Sequence, residues 1–333
     1  MKLSTILRAA ALAAVGLGLL CPPAMARAAT TGTVVAWGCG DFTNYGQCDV
    51  PAGLSGVTAI SAGAYGSLAL RSDGTVAAWG CAFGLCDVPA GLSNVVAISA
   101  GRFHNLALKA DGTVVAWGCG TPGGGADFGQ CNVPAGLSDV VAISAGTFHS
   151  LALKRDGTVV AWGCNIYFAD EGECDTSNLS AAIAIAAGTY HSAALRADGT
   201  VVTTTCETGQ GQCDVPAGLL GVTAIAAGAF STVALKANGT VVAWGCALDG
   251  VDYGQCAVPR GLSGVTAIAA GFGHTLAVTH HGRIVAWGCA GVYPLDYGQC
   301  DVPHGLSGVI AVAAGQTHSL ALVGPPPPED DQG

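Results

Sequence analysis

Residues 141–174 read VAISAGTFHSLALKRDGTVVAWGCNIYFADEGEC, and the fold can be argued from this stretch outward. Ser150-Leu151-Ala152-Leu153 and Thr158-Val159-Val160-Ala161-Trp162 are short runs rich in apolar and β-branched residues, bounded by turn residues, as strands are. Asp156-Gly157 lies between them and predicts a two-residue hairpin turn, in which both positions favour positive φ. Val141-Ala142-Ile143-Ser144 predicts another strand, ending at Ala145-Gly146, and the Gly-Gln-Cys…Val-Pro segment ahead of it (Gly129 to Pro134) predicts a fourth.

The unit repeats. Trp-Gly-Cys begins at Trp37, Trp79, Trp117, Trp162, Trp244 and Trp287, and a degenerate copy stands at Thr204-Thr205-Cys206. Successive copies are 42, 38, 45, 42, 40 and 43 residues apart, and every tryptophan of the chain belongs to one of them. The turn dipeptide recurs at Asp73-Gly74, Asp111-Gly112, Asp198-Gly199 and Asn238-Gly239, and as His281-Gly282. Seven units of about four short strands predict an all-β, seven-bladed β-propeller. The chain enters on the second half of a hairpin, Thr33 to Trp37, and leaves on the first half, Ser319 to Leu322. Pairing these two strands closes the ring and covers its open sheet edges.

Each repeat holds one cysteine after Trp-Gly and a second before the Val-Pro segment or its equivalent. This predicts seven bridges: Cys39 with Cys48, Cys81 with Cys86, Cys119 with Cys131, Cys164 with Cys174, Cys206 with Cys213, Cys246 with Cys256, and Cys289 with Cys300. The spacing inside a pair runs from 5 to 12 residues, looser than a metal site allows, and no CxxC or CxxCH occurs. These are read as structural staples, each contributing up to about 3 kcal/mol by loop-closure arithmetic. No metal or cofactor is expected.

Lys2 and Arg8, the apolar run Ala9 to Leu20, and Ala24-Met25-Ala26 read as a signal peptide cut after Ala26. The run is too short for a membrane span. Leu20 ahead of Cys21 is not the small residue a lipoprotein signal needs. The expected organisation is a signal peptide over 1–26, a propeller over 27–324 and a Pro-rich acidic tail over 325–333, in a secreted or periplasmic monomer. Without residues 1–26 the chain carries 10 basic and 22 acidic residues. An acidic chain with no basic run is unsuited to nucleic acid. GxSxG, HExxH and phosphate-loop motifs are absent from the sequence, and no enzyme is expected.

The Trp-Gly, Gly-Gln and AGxxHSLAL…DG elements resemble the regulator of chromosome condensation repeat family over about residues 31–324. The phrases VVAWG and YGQCDVPAGLSGV are similar to those of an exported branch, the propeller-type β-lactamase inhibitory proteins. The resemblance implies a protein-binding propeller that inhibits a β-lactamase or related penicillin-binding enzyme. The founding nuclear member's nucleotide exchange on a small GTPase does not suit an exported, disulfide-bonded chain. The alternative is a structural or adhesive envelope module with no enzyme target.

The loop after each Ala-Gly carries an aromatic residue in six repeats: Tyr65, Phe103, Phe148, Tyr190, Phe230 and Phe272, while Thr317 breaks the series. Sevenfold repetition places these residues in a ring on one face. By resemblance to the inhibitors they are the partner-binding residues, and the other reading is that they fill gaps between blades. The inhibitors present tryptophans there, whereas the six here belong to the strand motif. A second aromatic set, Tyr45, Phe128, Tyr253 and Tyr297, precedes Gly-Gln and is expected to pack over the disulfide loops. His104, His149, His191, His274 and His318 share one repeat position, which Gly66 and Ser231 also occupy, so a structural hydrogen-bonding role is expected. Asp49, Asp87, Asp214 and Asp301, each following a cysteine, are expected to act in the same way.

Overall fold

A computed structural model describes residues 31–40, 44–120, 127–164, 172–204, 211–246, 253–289 and 296–325. Seven separate antiparallel sheets make up the molecule. Their first strands are Val57–Ala62, Val95–Ala100, Val140–Ala145, Ala182–Ala187, Val222–Ala227, Val265–Ala270 and Val309–Ala314. The C-terminal ends of all seven line one axial cavity, so these are the inner strands of seven blades. The middle strands are Ser67–Arg71, His104–Lys109, His149–Lys154, Ser192–Arg196, Ser231–Lys236, Thr275–Thr279 and Ser319–Val323. Six outer strands follow in sequence, Val76–Trp79, Val114–Gly118, Val159–Gly163, Val201–Thr203, Val241–Gly245 and Ile284–Trp287. The seventh outer strand is Thr33–Trp37, which pairs with Ser319–Val323 from Thr33↔Val323 to Trp37↔Ser319. The ring is closed by both ends of the chain, as the sequence implies.

Among the described residues each blade has three strands rather than four. The Gly-Gln-Cys…Val-Pro segment uses its backbone groups in its own turns: Asp49 N–H donates to Gly46 O at 2.9 Å, Val50 to Cys48 O at 2.9 Å and Leu54 to Pro51 O at 3.1 Å. A segment folded this way has no row of free donors left for a ladder, and its proline lacks one outright. The hairpin turn also differs from expectation. Lys154 N–H donates to Thr158 O and Gly157 N–H to Lys154 O, which encloses three residues, Arg155 to Gly157. Only the glycine takes positive φ, 84°, as a type I turn with a following bulge requires. The aspartate instead accepts a bond from Thr158 N–H at 2.9 Å, fixing the turn with its side chain.

Seven apolar clusters fill the gaps between neighbouring blades. In one, Leu106 and Leu108 of the second blade meet Val140, Ile143, Ala152 and Trp162 of the third. The middle strands put a fully buried alanine at this contact (Ala69, Ala107, Ala152, Ala194, Ala234, Ala277 and Ala321), so the sheets can approach closely. Every tryptophan is buried, and its indole N–H donates to a main-chain carbonyl of the Gly-Gln loop, as from Trp162 to Gln130 O at 2.9 Å and from Trp37 to Gln299 O at 3.0 Å. The Trp-Gly and Gly-Gln motifs are thus two halves of one contact. In the fourth blade Thr204 takes the tryptophan's place. It is buried, its N–H donates to Ser192 O at 2.9 Å and its hydroxyl accepts from Ser192 N–H at 3.0 Å.

Six of the expected cysteine pairs are bonded, all within a repeat, with Cα separations from 5.0 to 6.3 Å. They are Cys39 with Cys48, Cys81 with Cys86, Cys119 with Cys131, Cys164 with Cys174, Cys246 with Cys256, and Cys289 with Cys300. Of the seventh pair, Cys213 is described, and its carbonyl accepts from the Thr203 hydroxyl at 3.0 Å. Its expected partner Cys206, the expected signal peptide over residues 1–26 and residues 326–333 lie outside the described residues. Among the described residues no helix is long and apolar enough to cross a membrane.

Candidate partner-binding face

The Ala-Gly pairs stand at one end of the axial cavity. Gly146 passes so close to the next blade that a Cβ there would lie 2.6 Å from Gly188 O and 2.7 Å from the His149 ring. In six of the seven blades the residue after the glycine donates its N–H to the glycine carbonyl of the next blade, as from Arg102 to Gly146 at 3.2 Å, Thr147 to Gly188 at 3.2 Å and Gln316 to Gly63 at 3.2 Å. These bonds surround the cavity mouth, and the cavity's volume is about 130 Å³. Its rim is formed by Ala64, Arg102, Thr147, Thr189, Ala229, Phe272 and Gln316.

Around this rim the aromatic residues pack into a continuous arc. Ring centroids are 5.9 Å apart for Tyr65–Phe103, 6.3 Å for Phe103–Phe148, 6.1 Å for Phe148–Tyr190, 5.6 Å for Tyr190–Phe230 and 5.6 Å for Phe230–Phe272. Two members of the second aromatic set, Tyr45 and Phe128, interleave with the first. Tyr45 packs 5.3 Å from Tyr65, and Phe128 packs 4.9 Å from Phe148. Phe83 fills the equivalent place between Tyr65 and Phe103, at 5.4 and 5.3 Å. Sequence reasoning missed Phe83 because Leu85 replaces the usual glutamine. Its signal is legible in Ala82-Phe83-Gly84-Leu85-Cys86 set against Asp127-Phe128-Gly129-Gln130-Cys131. The five-residue bridge Cys81–Cys86 carries Phe83 with left-handed backbone, φ 55°.

The rings of the first set differ in how far they are covered. Tyr65, Phe103, Phe148, Tyr190 and Phe272 are half-buried, packed on neighbours at one side and open at the other. Phe230 is only 5% exposed and presents little surface. Among the described residues the most exposed rings are Tyr45, at 51%, and Phe83, at 44%. Offset and edge contacts between such rings each contribute about 0.5–1.5 kcal/mol beyond burial, so the arc is a preformed surface. Phe230→Ala is accordingly expected to lower stability by about 3 kcal/mol in urea melts, as large-to-small core changes do. Phe148→Ala is expected to cost clearly less in the same melts.

The five repeated histidines lie beneath this face, fully buried, and join blade to blade. The Nε2 atoms sit 2.8 Å (His104 to Ser150), 2.9 Å (His149 to Ser192), 2.9 Å (His191 to Thr232), 3.0 Å (His274 to Ser319) and 2.9 Å (His318 to Ser67) from a hydroxyl of the following blade. Each hydroxyl donates its single proton to a loop carbonyl, as Ser150 does to Gln130 O at 3.1 Å. The histidine must therefore donate from Nε2, which leaves Nδ1 a bare acceptor. None of the five Nδ1 atoms has a partner. With burial opposing charge, His104, His149 and His318 titrate at about 3, and His191 and His274 at about 4. Neutral, separated around the ring and hydrogen-bonded, they hold the blades together. Among the described residues no three His, Cys, Asp or Glu side chains converge as metal ligands would.

Five stretches, residues 57–82, 95–123, 140–168, 222–255 and 265–299, match the regulator of chromosome condensation (RCC1) repeat. The chain belongs to the RCC1 repeat family. The matched stretches fall on blades one, two, three, five and six of this RCC1-repeat propeller. Of the other two, the fourth blade has lost its Trp-Gly and the seventh is split between the ends of the chain.

Solved structures share the fold. Prp20p from Saccharomyces cerevisiae, studied for its binding to Gsp1p and histones, is 19% identical with a TM-score of 0.64, over 90% of this chain and 92% of its own. Yeast RCC1 (Prp20), solved with Kap60, is 17% identical with a TM-score of 0.69, over 97% and 95%. The ectodomain of the receptor kinase CR4 from Physcomitrella patens is 23% identical with a TM-score of 0.57, over 77% and 67%. At such identities the likeness is one of fold. A search of curated proteins found no match.

Proposed function

We propose that this RCC1-repeat propeller is an exported protein-binding module, not an enzyme, whose aromatic face receives a β-lactamase or a related penicillin-binding enzyme. The observation that carries the reading is the unbroken arc of rings from Tyr45 to Phe272 around the cavity mouth, each packed against its neighbour in the arc. Rigid aromatics on a stiff scaffold are what protein-binding hot spots are built from, because little entropy is lost when a partner covers them. The RCC1-type propeller Prp20p has a described interaction with proteins, which supports binding as the task of the fold. The β-lactamase assignment rests on the likeness of the repeat phrases alone. Six disulfides suit an oxidising compartment outside the cytosol, as the leader-like segment at residues 1–26 does.

The test is titration of the oxidised chain, residues 27–333, against a panel of class A β-lactamases with substrate hydrolysis as the readout. Nanomolar inhibition is expected. Phe148→Ala and Tyr190→Ala are expected to weaken it at least tenfold while the melting temperature moves by only a few degrees, hot-spot truncations costing about 2 kcal/mol or more. No inhibition at micromolar concentration removes these enzymes as partners. Loss of fold in parallel with loss of binding removes those two rings from the interface.

A further inference from the structure

Arg102 is the one charged residue among the described residues that line the axial cavity, in a chain whose formal net charge is −10. Its guanidinium carbon lies 5.1 Å from the centroid of Phe103 and 5.8 Å from that of Tyr65. Nη2 donates to the Tyr65 hydroxyl at 3.2 Å, and Nε is shielded from solvent without an acceptor. The one ion pair among the described residues is Lys109 with Asp111, so no carboxylate there neutralises Arg102. The next two rim positions are Thr147 and Thr189, whose hydroxyls are 2.9 Å apart, and Gln316 stands on the same rim. The first blade's alanine and the fifth's carry no polar side chain, so the donors are gathered on part of the rim.

A guanidinium braced by two rings has lost much of its rotamer freedom and keeps a planar fork of donors, the geometry a carboxylate matches. Apolar walls of Ala and Gly strengthen such a pairing by keeping water thin around it. We infer that Arg102 makes the cavity mouth a receptor for one carboxylate, presented by an acidic side chain at the tip of a partner's loop. The cavity's size decides for a side-chain tip: about 130 Å³ is well below the several hundred Å³ of sites that engulf a small-molecule ligand. The inference rests on the aromatic face being the partner-binding surface, since the rings that bracket Arg102 are the rings of that face.

The probes are a capped tripeptide with a central glutamate, the same peptide with glutamine, and glutarate as a free carboxylate. The Arg102 Nε–H resonance of the ¹⁵N-labelled, oxidised chain reports occupancy. The glutamyl peptide is expected to shift it and to bind at least about tenfold more tightly than the glutaminyl one, the usual margin of a charged hydrogen bond. R102Q is expected to abolish that margin, and R102K, which keeps the charge but not the fork, to retain only part of it. In the two variants the margin is read from resonances of Thr147 and Thr189. Equal binding of the two peptides, or an unchanged margin in R102Q, overturns the site. Glutarate binding as tightly as the glutamyl peptide overturns the loop-borne source in favour of a free acid. A glutamyl preference that persists when every β-lactamase fails to bind overturns the proposed partner and leaves this site standing.

Discussion

Between pH 6.5 and pH 4 the protein is expected to lose most of its folding free energy, and the cause is the ring of buried histidines. Each has a folded-state pKa of about 3 or 4 against an ordinary value of 6.5. The depressed group is neutral when folded, whereas the unfolded chain takes up a proton below pH 6.5. Stability is therefore complete above that pH and falls as pH drops toward the folded pKa. One histidine costs about 1.4 kcal/mol per pH unit in that window, so five cost about 7. Total stabilities of about 5–15 kcal/mol are consumed within one to two such units. His149 is pressed further by the charge that His104 and His191 would carry, and His318 by that of His274, so protonation at one site resists protonation next door.

The turn aspartates act in a different window. Asp111, held down to about 2 by the Thr113 hydroxyl and N–H, loses its contribution only as pH falls below its ordinary 3.8, and Asp73, Asp156 and Asp198 shift in the same direction for the same reason. They cannot produce a transition above pH 4. Far-ultraviolet circular dichroism at 25 °C from pH 7.5 to 3.5 is expected to show cooperative unfolding near pH 5. His149→Ser with His191→Ser, copying the serine that the fifth repeat already carries at Ser231, is expected to reduce the slope to about three-fifths. A melting temperature that stays flat from pH 7 to pH 4 would rule out the buried, neutral ring.

The repeat makes the fold legible because seven noisy copies report one geometry. A strand of four residues cannot be distinguished alone, but Trp-Gly, Asp-Gly and Ala-Gly at fixed offsets can. What the sequence hid has physical reasons. The fourth strand failed because Val-Pro segments look extended while their donors turn inward, as at Asp49 and Val50. The hairpin was one residue longer than Asp156-Gly157 suggests because the aspartate's side chain, not its backbone, does the turning. At the candidate face, one repeat position does not mean one environment. Phe230 is buried while its equivalents are half-open, and Phe83 and Tyr45, from a different motif, carry the most exposed surface. Arg102 could not stand out either, since its chemistry depends on which rings bracket it and on what is absent nearby. Histidine's role was legible from the tolerance of Gly66 and Ser231. One of these repeats shows a compensation: opposite Gly66 the serine becomes Asn105, whose amide reaches Leu85 O at 2.9 Å.

Deleting residues 31–37 is expected to prevent the ring from closing, with the largest effect of any short deletion. These residues supply the outer strand of the seventh blade, paired along its length with Ser319–Val323. They bury Val34 and Trp37, each about 7% exposed, anchor the Trp37 indole on Gln299 O, and tie Gly32 to Val57 O of the first blade at 2.9 Å. Truncating a buried tryptophan alone costs about 3–5 kcal/mol, and losing a buried valine adds about 1.5 kcal/mol or more. With the ladder gone as well, the loss approaches the whole stability of a domain. The bared edge of Ser319–Val323 would then pair with another chain, so concentration-dependent dimers or larger species are expected alongside a melting temperature lowered by tens of degrees. A synthetic peptide of residues 31–40 is expected to restore monomers and the native melt by filling the vacant edge. That rescue separates a lost clasp from a chain that merely folds badly. A truncated monomer melting within a few degrees of the intact protein would mean that the blade-to-blade clusters and the histidine bonds hold the circle without its clasp.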